Sequence, residues 1–269
     1  MRINNNITAL NTFNKYTKNT EASSKAMEKL SSGFRINRAA DDAAGLSISE
    51  KMRSQIAGLD QSGRNVEDGI SYIQTAEGAL EEVSDMLVRM KELAVEASNG
   101  TYSTTDLANI QAEITELAAA ITEVSTTTEF NGIDVFGTAT TISYGANAGE
   151  SVTVAVATDF VALAAGGGDL DSIDVAADAA AAVTTIEDAI DIVNTQRATY
   201  GAQQNKLTHI SNNLSTTNEN ISAAESNIRD VDMASEMSEY TKDNILVQAA
   251  TAMLAQANAM PQNVLSLLQ

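Results

Sequence analysis

Two long stretches of the chain repeat apolar residues in alternating steps of three and four, the pattern of a coiled-coil helix. The first runs without error from Ile73 to Ala97, and the second runs from Val183 to Val231 with a few polar members. The sequence has a single proline, Pro261, which lies outside both stretches. Because a proline is the residue that most reliably breaks a helix, we predict two uninterrupted helices, from about Gly45 to Ser98 and from near Ile173 to Val231, each about 80–90 Å long at ~1.5 Å per residue.

Helical spacing also marks both ends of the chain. Apolar residues recur at steps of three and four in Met1–Leu30 and in Met233–Leu268, which predicts a helix in each. Pro261 is expected to bend or interrupt the C-terminal helix. The later long helix is expected to begin near Ile173, where several aspartates favour a helix N-terminus.

Turn and capping signals separate the two long helices. The segment Ser103–Asp106 has the form of a capping box and predicts the start of a third, shorter helix. Asn131-Gly132 is a turn sequence typical of hairpins. Residues 142–144 and 152–156 alternate apolar residues with small or polar ones, so we predict a β-hairpin there.

Together these elements predict a mainly α fold. We expect a long antiparallel coiled-coil helical rod, with a small β-hairpin region at one end and paired terminal helices at the other. The rod helices are assigned to 45–130 and 169–231, and the hairpin region between them to 131–168. The ends are assigned to 1–44, a core helix with its connector, and to 232–269, a second core helix.

Charge is distributed unevenly along the chain, whose formal net charge is −20. Residues 92–196 contain 17 acidic and no basic side chains, whereas residues 1–91 are neutral overall and residues 197–269 carry a net −3. A solvated acidic surface opposes self-association, and neutral surfaces favour it. Residues 92–196, the acidic block, are therefore interpreted as a solvated face. A more specific hypothesis is that this block lies on the outside of an assembly and that the two ends of the chain form its inside.

The C-terminal segment has no charged side chain after Asp243. A single helix is marginal in water, and one partner helix covers only one of its faces. We therefore expect residues 244–269 to be disordered in an isolated molecule and helical once neighbouring molecules surround them. A membrane-lying helix is the alternative, but Gln, Asn and Thr dilute its hydrophobicity and it lacks a Lys/Arg face.

Composition argues against several kinds of chemistry. The chain has no cysteine and one histidine, His209, which leaves no basis for a Cys-ligated metal, a Cys nucleophile or a His-centred triad. The motifs H-E-x-x-H and G-x-S-x-G and a phosphate-binding Gly-Lys-Ser/Thr are absent. The net negative charge opposes nucleic-acid binding, and neither a Sec-type signal nor an apolar run of membrane-spanning length is present. We expect no enzymatic activity, no cofactor, no nucleic-acid partner and no membrane partner.

Several long motifs resemble bacterial flagellin. They are SSGFRINRAADDAAGLSISEKMRSQI, RMKELAVEASNGTYS, DLANIQAEI, EFNGI and NILVQAATAMLAQANAMPQNVLSLLQ. The resemblance covers the chain except roughly residues 134–178. The large variable outer region of many flagellins is missing, so the chain resembles a minimal flagellin.

The resemblance implies a structural subunit that is exported unfolded by the flagellar type III apparatus and polymerises outside the cell into the filament used for motility. It implies as partners other copies of the chain, an export chaperone at about residues 232–269, the filament cap and the hook-junction proteins. Terminal helices line the filament interior in this family. The resemblance therefore assigns filament-core packing to Ile3, Ile7, Leu10, Leu246, Ala250, Met253, Ala257, Met260, Val264 and Leu267.

The resemblance also implies recognition by Toll-like receptor 5, because Arg89, Leu93 and Glu113 match the family's contact region. Val88 departs from it, since receptor-active members often have Gln there. In the alternative interpretation, Arg89 and Glu113 are surface charges that serve subunit contacts.

Three other functions compete with that of a filament subunit. A hook–filament junction protein shares the terminal pattern but polymerises little. A secreted enzyme with flagellin-like ends is disfavoured by the missing motifs, and a membrane-inserting translocator would bind liposomes.

Overall fold

The computed structural model describes residues 6–147, 149–155, 158–164, 170 and 173–266, and the side chains of 159, 164 and 261–266 are outside this description. Ten elements follow one another in the described residues: α1 (Ile7–Ser32), α2 (Ala43–Ala97), α3 (Thr104–Thr127), β1 (Glu129–Phe130), β2 (Ile133–Asp134), β3 (Thr140–Ser143), β4 (Ser151–Val154), α4 (Thr158–Ala164), α5 (Ala179–Arg229) and α6 (Met233–Ser266). The chain forms two compact units. The terminal unit comprises residues up to 56 and from 219 onward, and the central unit comprises residues 57–218.

The core of the central unit confirms the predicted coiled-coil seam of α2. All eight seam residues from Ile73 onward are at most 8% exposed: Ile73, Ala76, Leu80, Val83, Leu87, Met90, Ala94 and Ala97. From α5, the predicted seam residues Ile186, Val193, Tyr200, Leu207 and Leu214 are buried in the same cluster. Two contacts, Lys91 Nζ to Glu187 Oε1 at 2.8 Å and Asn218 Nδ2 to Asp60 Oδ1 at 2.5 Å, show that the helices run antiparallel.

The predicted turn and capping signals are confirmed. Ser103 and Asp106 form a reciprocal capping box at the start of α3, and these hydrogen bonds from Ser103 lower the pKa of Asp106. Asn131 and Gly132 both have positive φ, 53° and 76°, as a type I′ turn requires, and they join the antiparallel strands β1 and β2.

The predicted β-hairpin forms from β3 and β4, which pair from Thr140 with Val154 to Ser143 with Ser151. Val156, which we had placed in the second strand, is outside the described residues. The hairpin is attached to α2 by side chains. Asn65 donates to the carbonyl of Ser143 at 3.2 Å, and the Tyr72 hydroxyl accepts from Thr140 at 3.2 Å and donates to the Val135 carbonyl at 3.1 Å.

The start of α5 differs from the prediction, because the helix begins at Ala179 rather than near Ile173. The side-chain amide of Gln111 accounts for the difference. It donates to the carbonyl of Ile173 at 2.7 Å and accepts from the amide of Val175 at 2.9 Å, so this backbone pairs with α3 instead of forming a helix. Asp178 then accepts from the amides of Ala180 and Ala181 and caps the helix.

Two further differences concern α4 and Pro261. Helix α4 lies within the segment we assigned to the hairpin region, and its Phe160 is fully buried against Phe136 with ring centres 5.0 Å apart. A helix this short leaves too few residues for a helical period to be recognised. Helix α6 continues through Pro261 to Ser266, so the proline does not interrupt it. A proline removes only one backbone donor, and the helical backbone continues on both sides of it.

In the terminal unit, the connector after α1 is packed rather than free. Phe34 forms an isolated antiparallel bridge with Asp230, and Ile36 is 2% exposed. Arg229 lies over the ring of Phe34 at 4.9 Å and bonds to Glu50 at 2.6 Å. This hydrogen bond from Arg229 lowers the pKa of Glu50. The connector therefore joins residues from both ends of the chain within one unit.

Candidate assembly interface

Helices α1 and α6 pack against each other, and their fully buried described side chains are small or polar, whereas larger ones such as Tyr240, Val247 and Leu254 are half-buried. Among the described side chains of α6, the buried ones recur every seven positions and are Glu236, Asp243, Ala250 and Ala257. Lys29 of α1 forms an ion pair with Glu236 at 3.3 Å, and the Asn6 amide donates to the carbonyl of Ala257 at 2.8 Å. These two contacts set an antiparallel register along the pair.

This packing leaves many large apolar side chains of both helices exposed to solvent. Ten of them are 42–61% exposed, and we call them the apolar outer face: Ile7, Leu10, Phe13 and Met27 of α1, with Met233, Met237, Ile245, Leu246, Met253 and Met260 of α6. Exposure of this many large apolar side chains on one pair of helices is expected at a site of association.

The predicted filament-core residues divide into two groups in the structure. Five of them belong to the apolar outer face: Ile7, Leu10, Leu246, Met253 and Met260. Ala250 and Ala257 are instead buried in the pair of α1 and α6. Ile3 and Leu267, together with the side chain of Val264, are outside the described residues.

The contact of α6 within the molecule follows a different repeat from the one predicted for the filament core. The predicted repeat joined Ala250 and Ala257 to Leu246 and Met253, whereas the structure joins them to Glu236 and Asp243. The signal was present in the sequence, because Glu236, Asp243, Ala250 and Ala257 are seven residues apart. This repeat was not recognised because two of its members are carboxylates, and charged residues are seldom expected in a helix seam.

The residues matched to receptor recognition lie in the central unit, and the structure brings two of them together. Arg89 donates to Glu113 Oε1 through Nε at 3.0 Å and through Nη2 at 2.9 Å, and to Glu92 Oε2 through Nη1 at 3.2 Å. The hydrogen bond to Glu113 is the main cause that raises the pKa of Arg89 above its usual value. About half of the Arg89 and Glu113 side chains is exposed. Leu93 is 3% exposed, so it supports this surface from the core below.

The described residues contain no group of three or more His, Asp or Glu side chains placed to hold a metal ion. No helix in the described part of the chain is long and apolar enough to span a bilayer.

Two family descriptions together match most of the chain. The family description "Bacterial flagellin N-terminal helical region" matches residues 3–141, and "Bacterial flagellin C-terminal helical region" matches residues 183–268. A flagellin of Bacillus subtilis (strain 168) is 51% identical over the full length of both chains. The chain belongs to the bacterial flagellin family.

Other flagellins and flagellar proteins align equally fully. A flagellin of Halalkalibacterium halodurans is 48% identical, and the flagellar filament 31.3 kDa core protein of Treponema maltophilum is 45% identical, each over the whole of both chains. The crystal structure of Bacillus cereus flagellin aligns with 60% of this chain and 94% of its own, at 30% identity and a TM-score of 0.49. The 269-residue chain is a minimal member of this structural family.

Proposed function

We propose that the chain is exported by the flagellar type III apparatus and polymerises outside the cell into the flagellar filament. The apolar outer face is the observation that carries this proposal. Within one molecule the ten side chains of the apolar outer face stay largely exposed, so other copies are required to remove them from water. We propose that the copies contact one another head to tail, since a contact of that type repeats without closing and builds a helical polymer.

The distribution of charge supports the same proposal. The outer-face residues from Ile245 onward lie in a segment without charged side chains, so burying them desolvates no ion. The acidic block of residues 92–196 belongs to the central unit. In a filament with the terminal helices inside, this charge faces solvent and limits side-by-side association of filaments.

The outer face also supports the proposed partners other than the chain itself. A chain that carries an exposed apolar face must be shielded before export, and we propose that an export chaperone binds about residues 232–269 for this reason. The filament cap and the hook-junction proteins are proposed to contact the same terminal helices at the two ends of the polymer.

Growth of filaments from purified protein tests the proposal against the alternative of a hook–filament junction protein. We expect long filaments by electron microscopy when salt is added to the purified chain, because salt screens the repulsion between acidic central units. A junction protein would give only short oligomers under the same conditions. Failure of concentrated protein to elongate at any salt concentration would contradict the filament proposal.

Recognition by Toll-like receptor 5 is a second proposed function, supported by the exposed cluster of Arg89, Glu92 and Glu113. A planar guanidinium held by two carboxylates is a rigid polar surface, of the kind found at interface hot spots. We expect Arg89→Ala to reduce receptor signalling by about tenfold or more, one factor of ten being ~1.4 kcal/mol of binding free energy.

Lys91→Ala is the matched control for this substitution. Lys91 is also an ion-paired base on α2, bonded to Glu187 at 2.8 Å, and it lies outside the Arg89 cluster. We expect Lys91→Ala to leave signalling within twofold of the unsubstituted protein. Equal signalling by the Arg89→Ala and Lys91→Ala proteins would reject the receptor proposal and leave Arg89 as a surface ion pair.

A further inference from the structure

The exposed methionines of the chain are concentrated in the terminal unit. Five of its nine methionines are 47–61% exposed, and all five belong to the apolar outer face: Met27, Met233, Met237, Met253 and Met260. The other described methionines are more protected. Met90 is fully buried in the central core, and Met52 and Met86 are half-buried.

We propose that these five thioethers form an oxidation site that controls assembly: a peroxide-class oxidant modifies the unassembled chain and blocks its polymerisation, whereas assembled copies are protected. The inference rests on the proposed filament function, because protection requires the outer face to be buried between copies. It goes beyond that function by assigning a chemical modification to five named atoms.

The reaction at each site is a two-electron oxidation. A lone pair on Sδ attacks one oxygen of hydrogen peroxide, and the S–O bond forms as the O–O bond breaks. The displaced hydroxide takes up the hydrogen of the transferred oxygen as a proton and leaves as water. Methionine and hydrogen peroxide therefore give methionine sulfoxide and water. The sulfur is oxidised and the peroxide is reduced, so no further reactant is required.

The product changes the surface on which assembly depends. A sulfoxide is polar and accepts hydrogen bonds, whereas a thioether is apolar and packs closely against irregular surfaces. The aliphatic members of the outer face, Ile7, Leu10, Ile245 and Leu246, have no side-chain donor to offer the new oxygen. Burial of an unpaired acceptor is costly, so each sulfoxide weakens the contact between copies.

Peroxide treatment before and after polymerisation tests the inference. Monomer and salt-grown filaments are exposed to hydrogen peroxide for equal times, and the sulfoxide at each methionine is measured by mass spectrometry. In the monomer the five exposed sites should be oxidised at least tenfold faster than Met90, which is the internal control. In the filament the oxidation rates of the five sites should fall at least tenfold.

Assembly of the treated monomer provides the second measurement. We expect the critical concentration for polymerisation to rise at least tenfold after oxidation and to recover after incubation with methionine sulfoxide reductases. A variant with all five exposed methionines changed to leucine should polymerise at the same concentration before and after peroxide. If that variant does not polymerise untreated, the double variant Met253→Leu, Met260→Leu is used instead. Peroxide should then raise its critical concentration less than that of the unsubstituted chain.

The possible outcomes separate this inference from the proposed function. Untreated, unsubstituted protein that fails to polymerise would contradict the filament proposal itself. Untreated protein that polymerises, together with oxidised protein that polymerises at the same concentration, would overturn the oxidation site alone. Equal oxidation of the five sites in monomer and filament would overturn the protection that assembly is inferred to give.

Discussion

Lysine at both Ile245 and Met253 is expected to abolish filament growth while leaving the fold of the monomer intact. The two side chains are 60% and 61% exposed, so a lysine at either position keeps its ammonium group in water in an isolated molecule. In a filament that buries the outer face, each ammonium group would lose water without gaining a carboxylate partner. The cost is several kcal/mol per charge, which exceeds the roughly 1–2 kcal/mol that burial of the native side chain contributes.

The control for this prediction is the conservative pair Ile245→Leu, Met253→Leu. Leucine retains the apolar character and approximate volume of both side chains, and it should support filament growth at near the unsubstituted critical concentration. Circular dichroism of both monomers should show equal helix content. Long filaments from the double-lysine protein at the unsubstituted critical concentration would mean that the outer face is not the assembly surface.

Gly69→Ala is expected to destabilise the central unit, although alanine is the better helix former. Gly69 lies on α2 directly beneath the β3–β4 hairpin. A Cβ added there would overlap with Cδ1 of Ile142 and would lie 3.1 Å from its Cγ1 and Cγ2, so the whole buried side chain must shift. Overpacking of this kind costs about 1–3 kcal/mol, against a gain of about 1 kcal/mol in helix propensity.

Gly63→Ala and Gly78→Ala are the matched controls on the same helix. A Cβ added at either position meets no atom within 4 Å, so only the gain in helix propensity remains. Urea unfolding should show a higher free energy of unfolding for both controls and a lower one for Gly69→Ala. Stabilisation by all three substitutions would show that α2 and the hairpin are not in close contact at Gly69.

Much of the fold was predictable because α2 carries one apolar seam and no competing one. Every seam residue from Ile73 to Ala97 could be assigned from its spacing, and the turn at Asn131-Gly132 from its requirement for positive φ. The start of α5 was not predictable, because it depends on Gln111, 62 residues away from Ile173 in sequence. A contact between residues so far apart in sequence does not change the spacing of apolar residues from which helices are predicted.

The assignment of filament-core residues stays a prediction. Three of its members in α6, Leu246, Met253 and Met260, are exposed in the single chain, as contact with other copies requires. The contact of α6 within the molecule was not predicted, because the helix has two sides with heptad spacing. Its buried described residues, Glu236, Asp243, Ala250 and Ala257, lie on one side, and Leu246, Met253 and Met260 stay exposed.

Amide hydrogen exchange across α6, in dilute monomer and in filaments, tests the central claim most directly. In the monomer, the amides from Leu246 to Met260 should exchange far faster than those from Leu80 to Met90 in the central core, because one helix partner stabilises α6 only marginally. In filaments, protection of the α6 amides should rise by at least a hundredfold. Amides of α6 that are already as protected in dilute monomer as in the filament would contradict the account.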